Sequence, residues 1–145
     1  MKYKDKKHAK SAWVSKGTSQ IVEKPWGYET TWAGFNGIHG KTLFISAGKR
    51  TSFKFHKMKS EVLFLRSGSA EVTFGDEHCF DDPVGHPLKV EIIYAGSSLL
   101  VQSSCPYRIH AIEDCEFVEI GNNSCDKPVR IEDDYGRVGA DNEKS

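Results

Sequence analysis

Between Gly48 and Gly68 the chain carries an amine, an imidazole and a carboxylate at fixed intervals. Five residues follow Gly48, then come Lys54-Phe55-His56, four more residues lead to Glu61, and six separate Glu61 from Gly68. These are the side-chain types from which acid–base sites and metal sites are built. Side chains alternate between the two faces of a strand, so Ser52, Lys54 and His56 share one face, and Phe53 and Phe55 the other. By the same parity Glu61, Leu63 and Leu65 point one way, and so do Tyr107 and Ile109, with Arg108 and His110 opposite to them.

The spacing resembles the first cupin motif, Gly-x5-His-x-His-x3-4-Glu-x6-Gly, with Lys54 where its first His belongs. The second motif, Gly-x5-Pro-x-Gly-x2-His, can be laid without gaps on Gly96, Gln102, Ser104 and Tyr107; only its first glycine is kept, and Tyr107 stands in place of the His. The resemblance implies an all-β fold, the cupin double-stranded β-helix or jelly-roll barrel, as a single domain. It also implies that Lys54, His56, Glu61 and Tyr107 converge at the barrel mouth. A one-residue bulge would instead turn His110 inward as a replacement ligand.

Glu23-Lys24-Pro25-Trp26-Gly27-Tyr28-Glu29 resembles the segment that opens the cupin domain of type II mannose-6-phosphate isomerases. Ser52-Phe53-Lys54-Phe55-His56 and Glu61-Val62-Leu63-Phe64-Leu65 look like that family's following block, and the likeness runs from about Val22 to Arg137. It implies a protein that acts on or binds a sugar phosphate or nucleotide sugar, as an isomerase or epimerase of carbohydrate biosynthesis. His56 or Glu61 would be the base, Tyr107 the acid, and Lys54 the polariser of a carbonyl or the binder of a phosphate. Trp26, Tyr28 and Arg108 join Lys54 as ligand-binding candidates. The alternative is a non-catalytic cupin that binds a small sugar-like or anionic ligand through a degenerate metal site.

A cupin metal site uses three nitrogens and a carboxylate, a set suited to Zn, Fe, Mn or Ni. Only His56 and Glu61 remain as ordinary ligands here, so the expectation is no cofactor, with those two as the ligands if a divalent metal binds. In the metal-free reading Lys54 forms an ion pair with Glu61, His56 is hydrogen-bonded and Tyr107 closes the pocket. Arg108, Arg130 and Arg137 could hold phosphates. Each other candidate has a plainer reading: packing for Trp26 and Tyr28, a solvated loop for His78 and His86, a surface or salt-bridged place for each of the three arginines.

The elements that must position these groups are short runs of β-branched and aromatic residues separated by glycine-containing turns. Strands are predicted at Tyr28–Trp32, Lys41–Ser46, Thr51–His56, Glu61–Arg66, Ser69–Phe74, Lys89–Tyr94, Leu99–Gln102, Tyr107–Ile112 and Glu116–Ile120. Residues 1–20 read as an N-terminal arm, 21–137 as the barrel and 138–145 as a disordered tail, both ends being flexible. The 145 residues suit one domain. Lysine plus arginine equal aspartate plus glutamate at 20 each, a balance that argues against nucleic acid as a partner. No apolar run approaches the roughly 18 residues of a membrane span, and the N-terminus is charged without an apolar stretch, so no membrane partner and a cytoplasmic location are expected. The four cysteines form no Cys-x-x-Cys pair and are expected as free thiols. Phe53 and Phe55 together with Val62 and Phe64 need cover on their outer face, which points to a homodimer.

Overall fold

The structure, a computed structural model, describes residues 10–17, 19–123 and 125–138. Eleven strands follow in chain order: β1 (Gln20–Lys24), β2 (Gly27–Phe35), β3 (Ile38–Ile45), β4 (Phe53–His56), β5 (Glu61–Ser67) and β6 (Ser69–Phe74). The rest are β7 (Lys89–Tyr94), β8 (Ser98–Val101), β9 (Tyr107–Ala111), β10 (Cys115–Gly121) and β11 (Pro128–Glu132). One sheet has the order β1-β2-β3-β10-β5-β8 and the other β11-β4-β9-β6-β7, with every pairing antiparallel. This is the all-β, two-sheet barrel that the strand rhythm predicts.

Two strands escape that rhythm. In β1, Ile21 and Val22 are adjacent rather than alternating and both are exposed, so no period of two is visible. β11 opens on Pro128, which a strand tolerates at its first residue, and turns a buried Arg130 inward. Residues 10–17 have no regular structure, and Trp13 lies edge-on to Phe35 with ring centroids 5.7 Å apart. Residues 1–9 of the expected arm and 139–145 of the expected tail lie outside the described residues.

The inward faces change character along their length. Phe117 on β10 lies in register with Leu43 and Leu65, and these join Ile45, Leu63, Val72, Ile109 and Cys115 in a buried apolar core. Two residues further along β10, Glu119 lies opposite Lys41 and Leu63; two further still, Gly121 lies opposite His39 and Glu61. One end of the barrel is therefore packed with apolar side chains and the other is lined with charge.

The expected common face of Phe53, Phe55, Val62 and Phe64 does not form, because β4 and β5 belong to different sheets. Phe53 and Phe55 are covered from within the chain by Phe80, at centroid distances of 6.2 and 6.3 Å. Val62 and Phe64 remain exposed on the outside of the larger sheet.

Gly48 and Gly68, which frame the sequence motif, both have left-handed backbone, with φ of 82° and 92°. A Cβ on Gly68 would stand 2.2 Å from the carbonyl oxygen of Asp114, whereas one on Gly48 would meet open space. Gly48→Ala is expected to cost about 1 kcal/mol from its conformation alone, and Gly68→Ala clearly more, measured by denaturant unfolding. Equal costs would contradict this close approach.

Candidate functional site

The charged end of the barrel encloses a cavity of about 280 Å3. Lys54 and His56 enter it from β4, Tyr107 from β9, Glu61 from β5 and Arg130 from β11. Strand register brings them together: Lys54 is opposite Tyr107 on one side and Arg130 on the other. Tyr107 Oη donates a hydrogen bond of 2.9 Å to Glu61 Oε2. Lys54 Nζ stands 4.6 Å from the centre of the Tyr107 ring. His56 reaches neither neighbour directly, with Nε2 4.0 Å from Glu61 Oε2 and Nδ1 3.9 Å from Asp126 Oδ2.

Glu61 takes its ion pair from Lys59, not from Lys54 as the sequence suggested. Lys59 Nζ lies 3.4 Å from Glu61 Oε1 and 3.3 Å from Glu119 Oε2, and the same Glu119 oxygen is 2.6 Å from His39 Nε2. Gly121 makes room for this arrangement, since a Cβ there would lie 2.5 Å from His39 Cε1 and 3.1 Å from Lys59 Cε. Asp126 fixes the approach of Lys59, accepting hydrogen bonds from the backbone N–H groups of Met58 and Lys59 at 2.7 and 3.0 Å. Deeper along the larger sheet Glu29 is held by Lys24 and Lys41 at 3.1 and 2.9 Å.

These contacts separate the two lumen carboxylates. Burial works to raise Glu119, but the His39 hydrogen bond and the charges of Lys59 and Lys41 outweigh it and hold the group well below the usual carboxylate range. Glu61 is raised instead, first by burial and then by the charge of Glu119. Tyr107 is pushed well above its ordinary value by burial, with Glu61 adding to it, so it stays a phenol and donates. Lys54 is brought down to about 8 because burial outweighs the attraction of Glu61 and Glu119. Two carboxylates pushed in opposite directions assign the roles: Glu119 keeps its charge, and Glu61 can exchange a proton.

No family model and no curated protein sequence matches the chain. Solved structures do match it. The oxalate decarboxylase of Lactobacillus farciminis, in a formate complex, superimposes with a TM-score of 0.64 at 19% identity, over 79% of this chain and 34% of that one. The E162A variant of Bacillus subtilis oxalate decarboxylase gives 0.65 at 18% identity, over 81% and 31%. KdgF from Halomonas sp. gives 0.59 at 13% identity, over 74% of this chain and 89% of that one. The chain has the cupin fold. It spans about a third of the oxalate decarboxylase chains and most of KdgF.

The Bacillus enzyme has Mn(II) centres, but the residues at this cupin mouth do not fit such an ion. Among the described residues no three His, Cys, Asp or Glu side chains converge as a metal site. Of the two conventional donors, Glu61 already has its charge met by Lys59, and His56 lies beside the charges of Lys59 and Lys54. Tyr107 is held in its protonated form, which is a poor ligand.

Of the remaining sequence candidates, Trp26 is buried and lines the cavity. Tyr28 does not: it points the opposite way from Glu29 and stacks on Phe44 at 5.2 Å. Arg108 is also absent from the cavity, its guanidinium being engaged with the Thr51 carbonyl at 2.8 Å and with Glu132 at 3.4 Å. His110 pairs with Glu71 on the outward face of an unbroken register, so the inward bulge does not occur. His78 and His86 sit together in the loop before β7, where His86 Nδ1 is 2.7 Å from Asp76, away from the cavity. Arg130 and Arg137, phosphate-binding candidates whose plainer reading is a surface or salt-bridged residue, both line the cavity, and Arg130 is buried there.

His56 is pushed down to about 3, mainly by burial and then by the charges of Lys59 and Lys54. Unfolded, it takes a proton near pH 6.5, whereas folded it does not until much lower. Its contribution to stability is therefore present above about 6.5 and is lost as pH falls toward 3. Unfolding free energy is expected to decline on acidification by up to about 1.4 kcal/mol per pH unit from this group, and His56→Gln to flatten the profile. Identical profiles for both proteins would contradict a buried neutral His56.

Proposed function

We propose that this cavity takes a small anionic sugar derivative, the size of a monosaccharide phosphate, and moves a proton beside its carbonyl, as a sugar-phosphate isomerase or epimerase does. The reading rests on Glu61, a buried carboxyl with a raised pKa, held by Tyr107 and facing a cavity lined by Lys24, Lys41, Lys54, Lys59 and Arg130 against Glu29, Glu61, Glu119 and Asp126, with Arg137 paired to Asp133. The excess of positive charge favours an anion. Ligand pockets generally measure about 300–1,000 Å3, so a cavity of about 280 Å3 is of the size that takes a monosaccharide phosphate or the sugar end of a nucleotide sugar.

In this reading Lys54 and Arg130 attract the anionic group or polarise the carbonyl, and Glu61 carries the proton. Tyr107 orients Glu61. His56, neutral, lines the cavity, and Trp26 supplies an apolar wall. The Pro25-Trp26-Gly27 resemblance makes mannose 6-phosphate the first substrate to try. Binding without turnover is the second reading, favoured by the gaps of 3.9 and 4.0 Å on either side of His56, across which no proton passes directly.

Incubation with mannose 6-phosphate in deuterium oxide, followed by NMR, separates the two. Catalysis is expected to give fructose 6-phosphate with deuterium at the transferred position, and Glu61→Gln to lower the rate by about 10²–10⁴-fold. Saturable binding with no exchange would establish the second reading, and no binding would contradict both. Affinity for the phosphate ester is expected to fall as pH rises through about 8, where Lys54 loses its proton. A flat profile would remove Lys54 from anion binding.

A further inference from the structure

We propose that Lys54 forms a covalent imine with the ligand, and that the substrate class is an anionic aldehyde or ketone in its open-chain form. This rests on the reading of the cavity as a site for anionic carbonyl compounds and specifies how Lys54 polarises the carbonyl.

The lysines around the cavity are not equivalent. Lys59 is clamped between Glu61 and Glu119 at 3.4 and 3.3 Å. Lys24 and Lys41 are engaged by Glu29 at 3.1 and 2.9 Å. Among the described residues no carboxylate lies within ion-pair distance of Lys54, whose Nζ instead faces the Tyr107 ring at 4.6 Å. An amine becomes a nucleophile when it is desolvated beside other cations and spared a tight ion pair. Lys54 meets these conditions, with burial lowering its pKa to about 8 and the charges of Lys59 and Arg130 acting in the same direction. A useful fraction of its amine is therefore uncharged near neutral pH.

The groups that the reaction needs are already placed. The neutral amine attacks the carbonyl carbon while the carbonyl oxygen takes a proton from the Glu61 carboxyl. The resulting carbinolamine loses its hydroxyl as water and leaves an iminium. Overall, the carbonyl compound, the neutral Lys54 amine and the protonated Glu61 carboxyl give the iminium, the Glu61 carboxylate and one water, with no oxidant or reductant. The iminium acidifies the neighbouring C–H, and Glu61, now a carboxylate hydrogen-bonded by Tyr107 at 2.9 Å, is the base beside it. The positive charges of Lys59 and Arg130 on the cavity wall favour the anionic group there.

The test is reduction with borohydride in the presence of dihydroxyacetone phosphate, followed by peptide mapping, alongside calorimetric titration of the unmodified protein with inorganic phosphate. The expected result is one dominant adduct on Lys54, suppressed by excess phosphate and absent in Lys54→Arg. The map of the unmodified sequence locates the adduct whether or not that variant folds. Phosphate binding without an adduct on Lys54, or adducts spread equally over surface lysines, would overturn the imine while leaving anion binding intact. Neither phosphate binding nor an adduct would overturn both.

Discussion

Two carboxylates and their cations share the lumen of this barrel, and the Lys59 ammonium between Glu61 and Glu119 is the interaction on which the other site contacts depend. An unpaired charge in such a place costs several kcal/mol, so neither carboxylate could stay ionised there alone. The clamp is asymmetric because Glu119 also receives His39 at 2.6 Å, whereas Glu61 receives the Tyr107 hydroxyl, with His56 no nearer than 4.0 Å. That difference gives one group a fixed charge and makes the other titratable. Gly121 belongs to the same device, since its missing side chain is the space in which the His39 ring and the Lys59 chain meet.

At the charged end of this barrel the Lys59 ammonium lies between Glu61 and Glu119. Lys54 and Tyr107 stand opposite each other in register on β4 and β9, so the two departures from the cupin motifs meet at one place in the barrel. A flat aromatic ring beside a lysine tolerates the positive charge through its π face without pairing it. The apolar half of the barrel, from Ile45 and Leu65 to Phe117, supplies the packing that holds these polar groups in place.

What the sequence could reveal follows from how local each feature is. Lys54, His56, Glu61 and Tyr107 obey strand parity within short segments of recognisable spacing, and they meet in one cavity. Glu119 obeys it too, in step with Cys115 and Phe117, and could have been read from the same pattern. Lys59 could not, because it lies in the link between β4 and β5, where there is no periodicity and a long side chain can swing to either side. Tyr28 and Arg108 were drawn in by residue type, although parity opposes Tyr28 to Glu29 and sets Arg108 against Tyr107. Arg130 is a phosphate-binding candidate by type, but its strand β11 gives no alternation that would place it inward. The charge network depends on residues 60 and 80 positions apart in the chain meeting across a sheet, and no local pattern records that.

The direct measurement is an NMR titration of the Lys54 ammonium with pH, with and without inorganic phosphate. A buried, unpaired amine in an anion site is expected to titrate near 8 and to shift upward when phosphate binds, because the anion favours its charged form. A titration near the ordinary lysine value of about 10.4, unmoved by phosphate, would contradict the account.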